Sequence, residues 1–500
     1  MSDERTPILV GAGQLTQRDV APDQALEPVA MMAAVAQAAA DDAGAGPALL
    51  RRVDSLAVVN VFCWPYANPP RLLAERLGVQ PAEELSTTVG GNTPQWLVNE
   101  TASRIAAGQV RVALLAGAEA VRSVVRARKA RVPLAWGSGE GTPVVVGEGK
   151  DGTSEHEVAH GLMLPTQIYP LFENALRARA GRSIAEHQRH LGTLCAGLSA
   201  VAAENPHAWF RQARSADEIA TVTPSNRMIG FPYPKLMNAI IEVDQAAAVL
   251  MTSVGEARAL GIPQDRWVYL WGSGEAHDRW FISDRVDYAS SPAIREAGRQ
   301  ALAAAGIGIE RVDHLDIYSC FPAAVQIGRA ALGIAAGDPR PLTVTGGLPY
   351  FGGPGNNYSM HAIAETMDRV RAQPGSVGLV TALGWFLTKH AVGVYSAQPK
   401  DGPFVREDAA PRQAILDAQT APELAREPSG PASIETYTVL HDRDGTPVRG
   451  LVIGRLEDGR RFLAETPADR ATLDGLMAAE GVGRRGRVAT RDGVGHFAPS

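Results

Sequence analysis

Two short motifs have spacings that, in the right setting, do chemistry. His156-Glu157-Val158-Ala159-His160 has the H-E-x-x-H pattern, in which two histidines one helical turn apart bind zinc and the glutamate serves as base. That chemistry needs a helix running past the second histidine and a third ligand. Gly161 follows at once and Pro165 soon after, so the match reads as accidental. Gly147-Glu148-Gly149-Lys150-Asp151-Gly152 fits G-x-G-x-x-G after an apolar run. Lys150 and Asp151 crowd a turn meant for pyrophosphate and no βαβ unit surrounds it, so a mobile loop is expected instead. Cys63, Cys195 and Cys320 lie too far apart in sequence for a disulfide framework or a metal-ligand set, and fit a reducing compartment.

Charge and composition narrow the class. The 500 residues carry a net charge of −6 and are 45% apolar, ample for buried cores in two to four domains. There is no basic excess of the kind that a nucleic-acid or membrane-surface binder shows. The most basic stretch, 122–131, reads as a solvated loop whose arginines could also meet an anionic ligand. The N-terminus passes from Met1-Ser2-Asp3-Glu4-Arg5 into an apolar run at 8–10 with no basic lead and long apolar core. No apolar stretch of about 20 residues occurs, so no membrane span is expected and the chain reads as cytoplasmic.

The elements that must position any site come in two copies. Val53-Asp54-Ser55-Leu56-Ala57-Val58-Val59-Asn60-Val61-Phe62 matches Val312-Asp313-His314-Leu315-Asp316-Ile317-Tyr318-Ser319-Cys320-Phe321. Alanine-rich helical stretches at 33–46 and 296–308 precede them, and Gly-Gly turns at 90–91 and 346–347 follow β-branched runs. Then come a helix and an apolar strand, 112–115 and 377–381. Alternating strands and helices predict two α/β halves with mostly parallel sheets and a ligand site near their junction. The expected division is 1–125 and 236–400 for the halves, with a loop domain at 126–235 (helices over 165–180 and 183–205) covering the junction. Asp244 reads as the N-cap of a helix at 245–253, and Asn226-Arg227 and Phe231-Pro232-Tyr233 could line the pocket. A linker at 401–432 leads to a β-rich domain at 433–500. Its strands at 434–440, 448–455, 461–464, 486–490 and 496–497, its Asp-Gly turns and its helix at 467–480 suggest a small OB-like barrel.

This duplication resembles the thiolase superfamily over residues 6–398, closest to sterol-carrier-protein-type thiolases and thiolase-like proteins with an additional C-terminal domain. The fold so implied is two βαβαβαββ-type halves in an α-β-α-β-α arrangement. Registered on 105–108, the family's cysteine nucleophile falls on Gly91. The helix start survives beside it, with Asn92, Thr93 as N-cap and Pro94 at the first helical position, and its main-chain amides could hold an anion or a polarised carbonyl. Tyr318-Ser319-Cys320-Phe321 stands where most members read Asn-Glu-Ala-Phe and the sterol-carrier type His-Asp-Cys-Phe. Tyr318 can donate a hydrogen bond or, with a lowered pKa, take a proton; Cys320 matches an acid/base cysteine or packs as a buried thiol. Gly346-Gly347-Leu348-Pro349-Tyr350-Phe351-Gly352-Gly353-Pro354-Gly355 resembles the Gly-Gly…Gly-His-Pro signature, with Gly353 at the catalytic histidine. Tyr350 could face the pocket or merely line it, while His361, in a helix at 357–372, reads as a surface or packing residue. Ala382-Leu383-Gly384 replaces Cys-x-Gly.

Thiolysis and Claisen condensation need the cysteine, and deleting a covalent nucleophile costs on the order of 10⁴–10⁶ in rate. The resemblance therefore implies one of two things. One is an acetyl-CoA acetyltransferase-related enzyme of lipid metabolism that acts on the C–C bond of an acyl-CoA without a cysteine, for example by retro-aldol chemistry. Tyr318, with Tyr350, would then be base and acid, Cys320 would assist, and Gly91, Asn92, Gly346, Gly347, Gly353 and Gly384 would shape the substrate site; the added domain could act as an OB-containing partner does. The other is a degenerate CoA-ester or lipid binder. Neither needs a cofactor beyond the coenzyme A ester itself, and a homodimer stays open, since the added domain could cover that interface.

Overall fold

The computed structural model describes residues 4–500. Strands β1 (Pro7–Thr16), β2 (Ser55–Val58), β3 (Glu83–Thr87), β4 (Val112–Ala120) and β5 (Val144–Val146) are followed by β6 (Met228–Gly230) and β7 (Tyr233–Pro234) in the middle section. Next come β8 (Asp244–Ser253), β9 (Val268–His277), β10 (His314–Asp316), β11 (Gly378–Gly384) and β12 (Lys389–Ser396). Except for β6 and β7, they form one sheet in the order β10-β11-β12-β9-β1-β8-β4-β2-β3-β5. Read outward from the β1–β9 junction, the two sides are the same: β1-β8-β4-β2 and β9-β12-β11-β10, with β8 and β12 alone running against their neighbours. The sequence repeat thus lays β2 on β10 and β4 on β11. The second half has no counterpart of β3. Its 343–345 segment is a loop wrapped round the buried Asp316 carboxylate, which accepts from Thr343 Oγ1 and from the amides of Val344 and Thr345.

Each half packs its first strands against an outer helix, Pro28–Asp42 on β1 and β8, Pro292–Ala305 on β9 and β12. Glycine makes that approach possible. A Cβ on Gly11 or Gly13 would land on the carbonyls of Ala39 or Val35, and one on Gly272 or Gly274 on those of Ala301 or Ala297. Helices Thr93–Ala106 and Tyr358–Ala372 lie between the halves, burying Leu97, Val98, Ile105, Ile363 and Met367 against strands of both. The result is an α-β-α-β-α layering.

Three expectations fail here. Residues 122–131 form a helix, Val121–Ala130, rather than a loop. Asp244 is not a helix cap: it begins β8, where its buried carboxylate accepts from Ser123 N at 3.0 Å and Ser123 Oγ at 2.5 Å. The run 246–251 is apolar throughout, so it has no period to read, and burial on both faces makes it a strand. The stretch 401–432 is not a bare linker but holds a helix, Ala410–Asp417, and the start of the next strand.

The C-terminal strands β13 (Gly430–His441), β14 (Pro447–Leu456), β15 (Arg461–Glu465), β16 (Arg485–Arg491) and β17 (Val494–Pro499) close in the order β13-β14-β15-β17-β16-β13, a five-stranded OB-like barrel. β6 adds to its β13 edge through Gly230 and Leu440. Fully buried Arg461 bolts the barrel to the second half: it pairs with Glu435, donates to the carbonyls of Ser283 and Arg285, and lies over the Tyr288 ring at 4.8 Å. Among the described residues no helix is long and apolar enough to cross a membrane.

Replacing Arg461 by Met should lower unfolding free energy by about 3 kcal/mol, the low end for a broken buried pair, because Arg455 still neutralises Glu435. Urea unfolding measures the loss, and limited proteolysis should cut first within the barrel.

Candidate active site

The strand ends of the two halves meet under helix Pro165–Arg179 at a cavity of about 580 Å³. Its wall is mostly apolar, with Val89, Met163, Leu164, Ile241, Leu348 and Phe386, and its polar groups include Thr166, Tyr318 and Asn356. There the structure brings together Gly91, Tyr318, Cys320 and Gly353. A second, more polar hollow of about 420 Å³ adjoins it and shares Val89 and Trp385 as walls.

Tyr318 lies just past β10, its amide donating to Thr381 Oγ1 at 2.8 Å and its ring edge-on to Tyr358 at 5.4 Å. Its hydroxyl stands against Gly91. A Cβ built on Gly91 would land on that oxygen and 2.6 Å from the Leu383 carbonyl. The phenol therefore fills the space that a nucleophilic side chain at position 91 would need. Burial, and then the neighbouring Cys320, push the Tyr318 pKa well above the usual phenol range, so it keeps its proton at neutral pH. Burial also pushes the Cys320 thiol up to about 12, against the Tyr169 hydroxyl; a thiolate at Cys320 is disfavoured.

The turn that carries Gly91 is held from both halves. Gly90 N donates to Asn356 Oδ1 at 2.9 Å, Asn356 Nδ2 donates to Asn60 O at 3.0 Å, and Ser359 Oγ donates to Gly91 O at 3.0 Å. Thr93 is not the cap: it is the first helical residue, its hydroxyl donating back to Gly90 O at 2.7 Å, and Asn92 takes the cap position. The amides of Gly91 and Asn92 have no acceptor among the described residues, and Gly91 lines the cavity, which leaves donors at a helix N-terminus beside that space.

Other expected site residues lie elsewhere. The Asn92 side chain and Gly384 sit behind the turn, pressed on each other. Gly346 and Gly347, at φ +115° and +76°, pack on Ala202 and Leu198 of helix Ile184–Glu204 and outside the cavity. Tyr350 is fully buried with its phenol toward Cys195 of that helix, so it does not face the pocket. Gly353 does line it; a Cβ there would come 3.3 Å from Ile240 O, which is tight but not blocked. His361 is a buried packing residue, 2.8 Å from Gln14 Oε1 and beside Phe351, with burial lowering its pKa to about 3. Asn226 donates to the carbonyls of Ile219 and Thr221, and Tyr233 to Glu173, both away from the cavity. No barrel residue lines it either.

The two motifs have structural uses. Glu157 accepts from the amides of Ser154 and Ser283, and His160 reaches His156 O with Nδ1 and accepts from Gly495 N of β17 with Nε2. The 147–152 loop is not free: Trp385 Nε1 donates to Lys150 O at 3.2 Å and Trp280 Nε1 to Asp151 O at 2.7 Å. One residue escaped the sequence reading as a site residue. Glu119, at the end of the fully buried β4, accepts from the amides of Phe62 and Cys63 behind the cavity wall, and burial raises its carboxyl to about 7. A lone carboxylate closing an apolar strand was the available signal.

Residues 274–397 match the thiolase C-terminal domain-like family, and residues 411–493 the thiolase-like protein type 1 additional C-terminal domain. The chain is similar to the crystal structure of a monomeric SCP2-thiolase like protein type 1 from Mycobacterium smegmatis, at 38% identity and a TM-score of 0.87 over 100% of both chains. Two further structures share the fold. An Ltp2-ChsH2(DUF35) aldolase has 18% identity and a TM-score of 0.59 over 78% of this chain and 98% of that one. An acetyl-CoA acetyltransferase from Syntrophomonas wolfei has 15% identity and 0.55 over 79% and 100%. Comparison with curated proteins finds no match.

Gly91→Ala should cost about 1–3 kcal/mol by overpacking, and Tyr318→Phe should recover part of it, a coupling that a double-mutant cycle in urea detects. Glu119 gives a pH signature. Its folded pKa lies above its unfolded one, so its contribution is complete below about pH 4.5 and is lost as pH rises through about 7. Unfolding free energy of the wild type should fall relative to Glu119→Gln across that window, by up to about 3 kcal/mol.

Proposed function

The chain belongs to the SCP2-thiolase-like proteins of type 1, and on that premise we propose that it takes a coenzyme A thioester into the cavity and acts on a carbon–carbon bond of the acyl chain without a cysteine nucleophile, as in retro-aldol cleavage. The observation that supports this is the Tyr318 hydroxyl standing in the nucleophile's space at Gly91, next to two unpaired amides. In a β-hydroxyacyl thioester the hydroxyl gives up its proton and the Cα–Cβ bond breaks. The electron pair passes to Cα and the thioester oxygen, and Cα takes a proton, so no oxidant or co-reactant is needed. The Gly91 and Asn92 amides are suited to receive the charge on oxygen. Tyr318, which holds its proton through the neutral range, is suited to donate it. The apolar wall suits a hydrocarbon acyl group. A cytoplasmic role in lipid metabolism belongs to the same proposal.

One observation favours binding without turnover: the Tyr318 hydroxyl has no protein acceptor among the described residues to relay its proton. Incubation with β-hydroxyacyl-CoA separates the two readings. Turnover releases an aldehyde or ketone and a shortened acyl-CoA, and Tyr318→Phe should slow release by about 10²–10⁴ while calorimetric affinity stays within a few-fold. Binding without release leaves the carrier reading; no binding sinks both.

A further inference from the structure

Beneath the turn that carries Gly91 lies a cation for which the chemistry above has no use. Lys389 opens β12 and is only 6% exposed. Its Nζ donates to Val89 O at 2.7 Å and stands over the indole rings of Trp385 and Trp280 at 5.8 and 5.9 Å. A Cβ on Gly90 would come 2.9 Å from that nitrogen, so the glycine leaves room for the ammonium. Asn92 Oδ1, itself buried and without a partner, crowds the same Cβ position.

An apolar side chain would pack against two indoles without a charge to desolvate, so mere filling does not account for a lysine. Its hydrogen bond goes to the main chain one residue before Gly90, and the buried Asn92 Oδ1 lies at the same turn. We propose that Lys389 is the positioning residue of the thioester site: its ammonium fixes the 89–92 turn and so aims the Gly91 and Asn92 amides at the ligand's carbonyl oxygen. This rests on the acyl-thioester reading above. The positive charge behind the turn also adds to the field of those amides, in a place shielded from water by the two indoles.

The site's charge should disappear at mildly alkaline pH. Burial lowers the Lys389 pKa to about 8, against the pull of Glu148, the carboxylate that faces it. Lys150 shares the Trp280 ring at 5.2 Å, and His277 stands edge-on to that ring. None of these replaces the bond to Val89 O.

The test uses the full chain, with hexadecanoyl-CoA as the thioester and Nile red as a neutral probe of the apolar cavity, both read by fluorescence at pH 7 and pH 9. The wild type should bind the thioester about tenfold more weakly at pH 9 than at pH 7, because a charge-assisted hydrogen bond becomes a neutral one. Lys389→Arg, which stays charged, should keep its affinity at both. Lys389→Met should be about tenfold weaker at pH 7 and insensitive to pH. Nile red binding should be the same in all three. Equal thioester binding by Lys389→Met and wild type, or Nile red loss in parallel with thioester loss, overturns the role of the lysine and leaves the acyl-thioester reading standing. A wild type that takes Nile red but no thioester at either pH overturns that reading and this proposal with it.

Discussion

The space between Gly91 and the Leu383 carbonyl can hold a side chain at 91 or the phenol at 318, but not both. Everything particular to this site follows from that exclusion. Once tyrosine occupies the position, glycine at 91 is required, the covalent route closes, and what remains at the helix start is main chain. Main-chain donors are useful only if their direction is fixed, and the turn is gripped accordingly: Asn356 and Ser359 reach it from the opposite half, and Asn60 steadies Asn356. The two halves therefore meet at the site by hydrogen bonds as well as by the packing of the central helices.

Much of the architecture was legible because duplication writes the same pattern twice. The match of 53–62 with 312–321 lays β2 on β10, each parallel to the equivalent inner strand, β4 or β11, and the glycine pairs on β1 and β9 meet their outer helices at matching depths. Where only one copy carries information, pattern fails. The alanine-rich 246–251 run has no alternation because both its faces are buried, so helix and strand look alike in sequence. The basic stretch at 121–130 is a helix whose core contact is small, Ser123 and Ala127, too slight to show as an apolar stripe.

For the site, position in the chain proved a better guide than residue type. Gly91, Tyr318, Cys320 and Gly353 all reach the cavity because strand ends converge there. Tyr350 shares the glycine-rich loop but turns away: the loop's backbone is bent by Gly346 and Gly347, and the phenol sinks toward Cys195 of helix Ile184–Glu204. Glu119 could not be ranked without three dimensions. Its importance comes from the two amides it collects and from the water it lacks, neither of which is local in sequence.

The barrel is tied down by groups made long before it. His160 waits for the Gly495 amide, Arg177 for Glu480 and the Tyr437 hydroxyl, and Gly230 for Leu440. Because a chain is synthesised from its N-terminus, these partners emerge last. Until the barrel is made, the middle section carries an unmatched imidazole, a stranded guanidinium and a short hairpin with a bare edge, and the imidazole waits longest, for β17. Loss of β17 would thus be felt at His160, three residues before the cavity wall at Met163, as well as in the barrel.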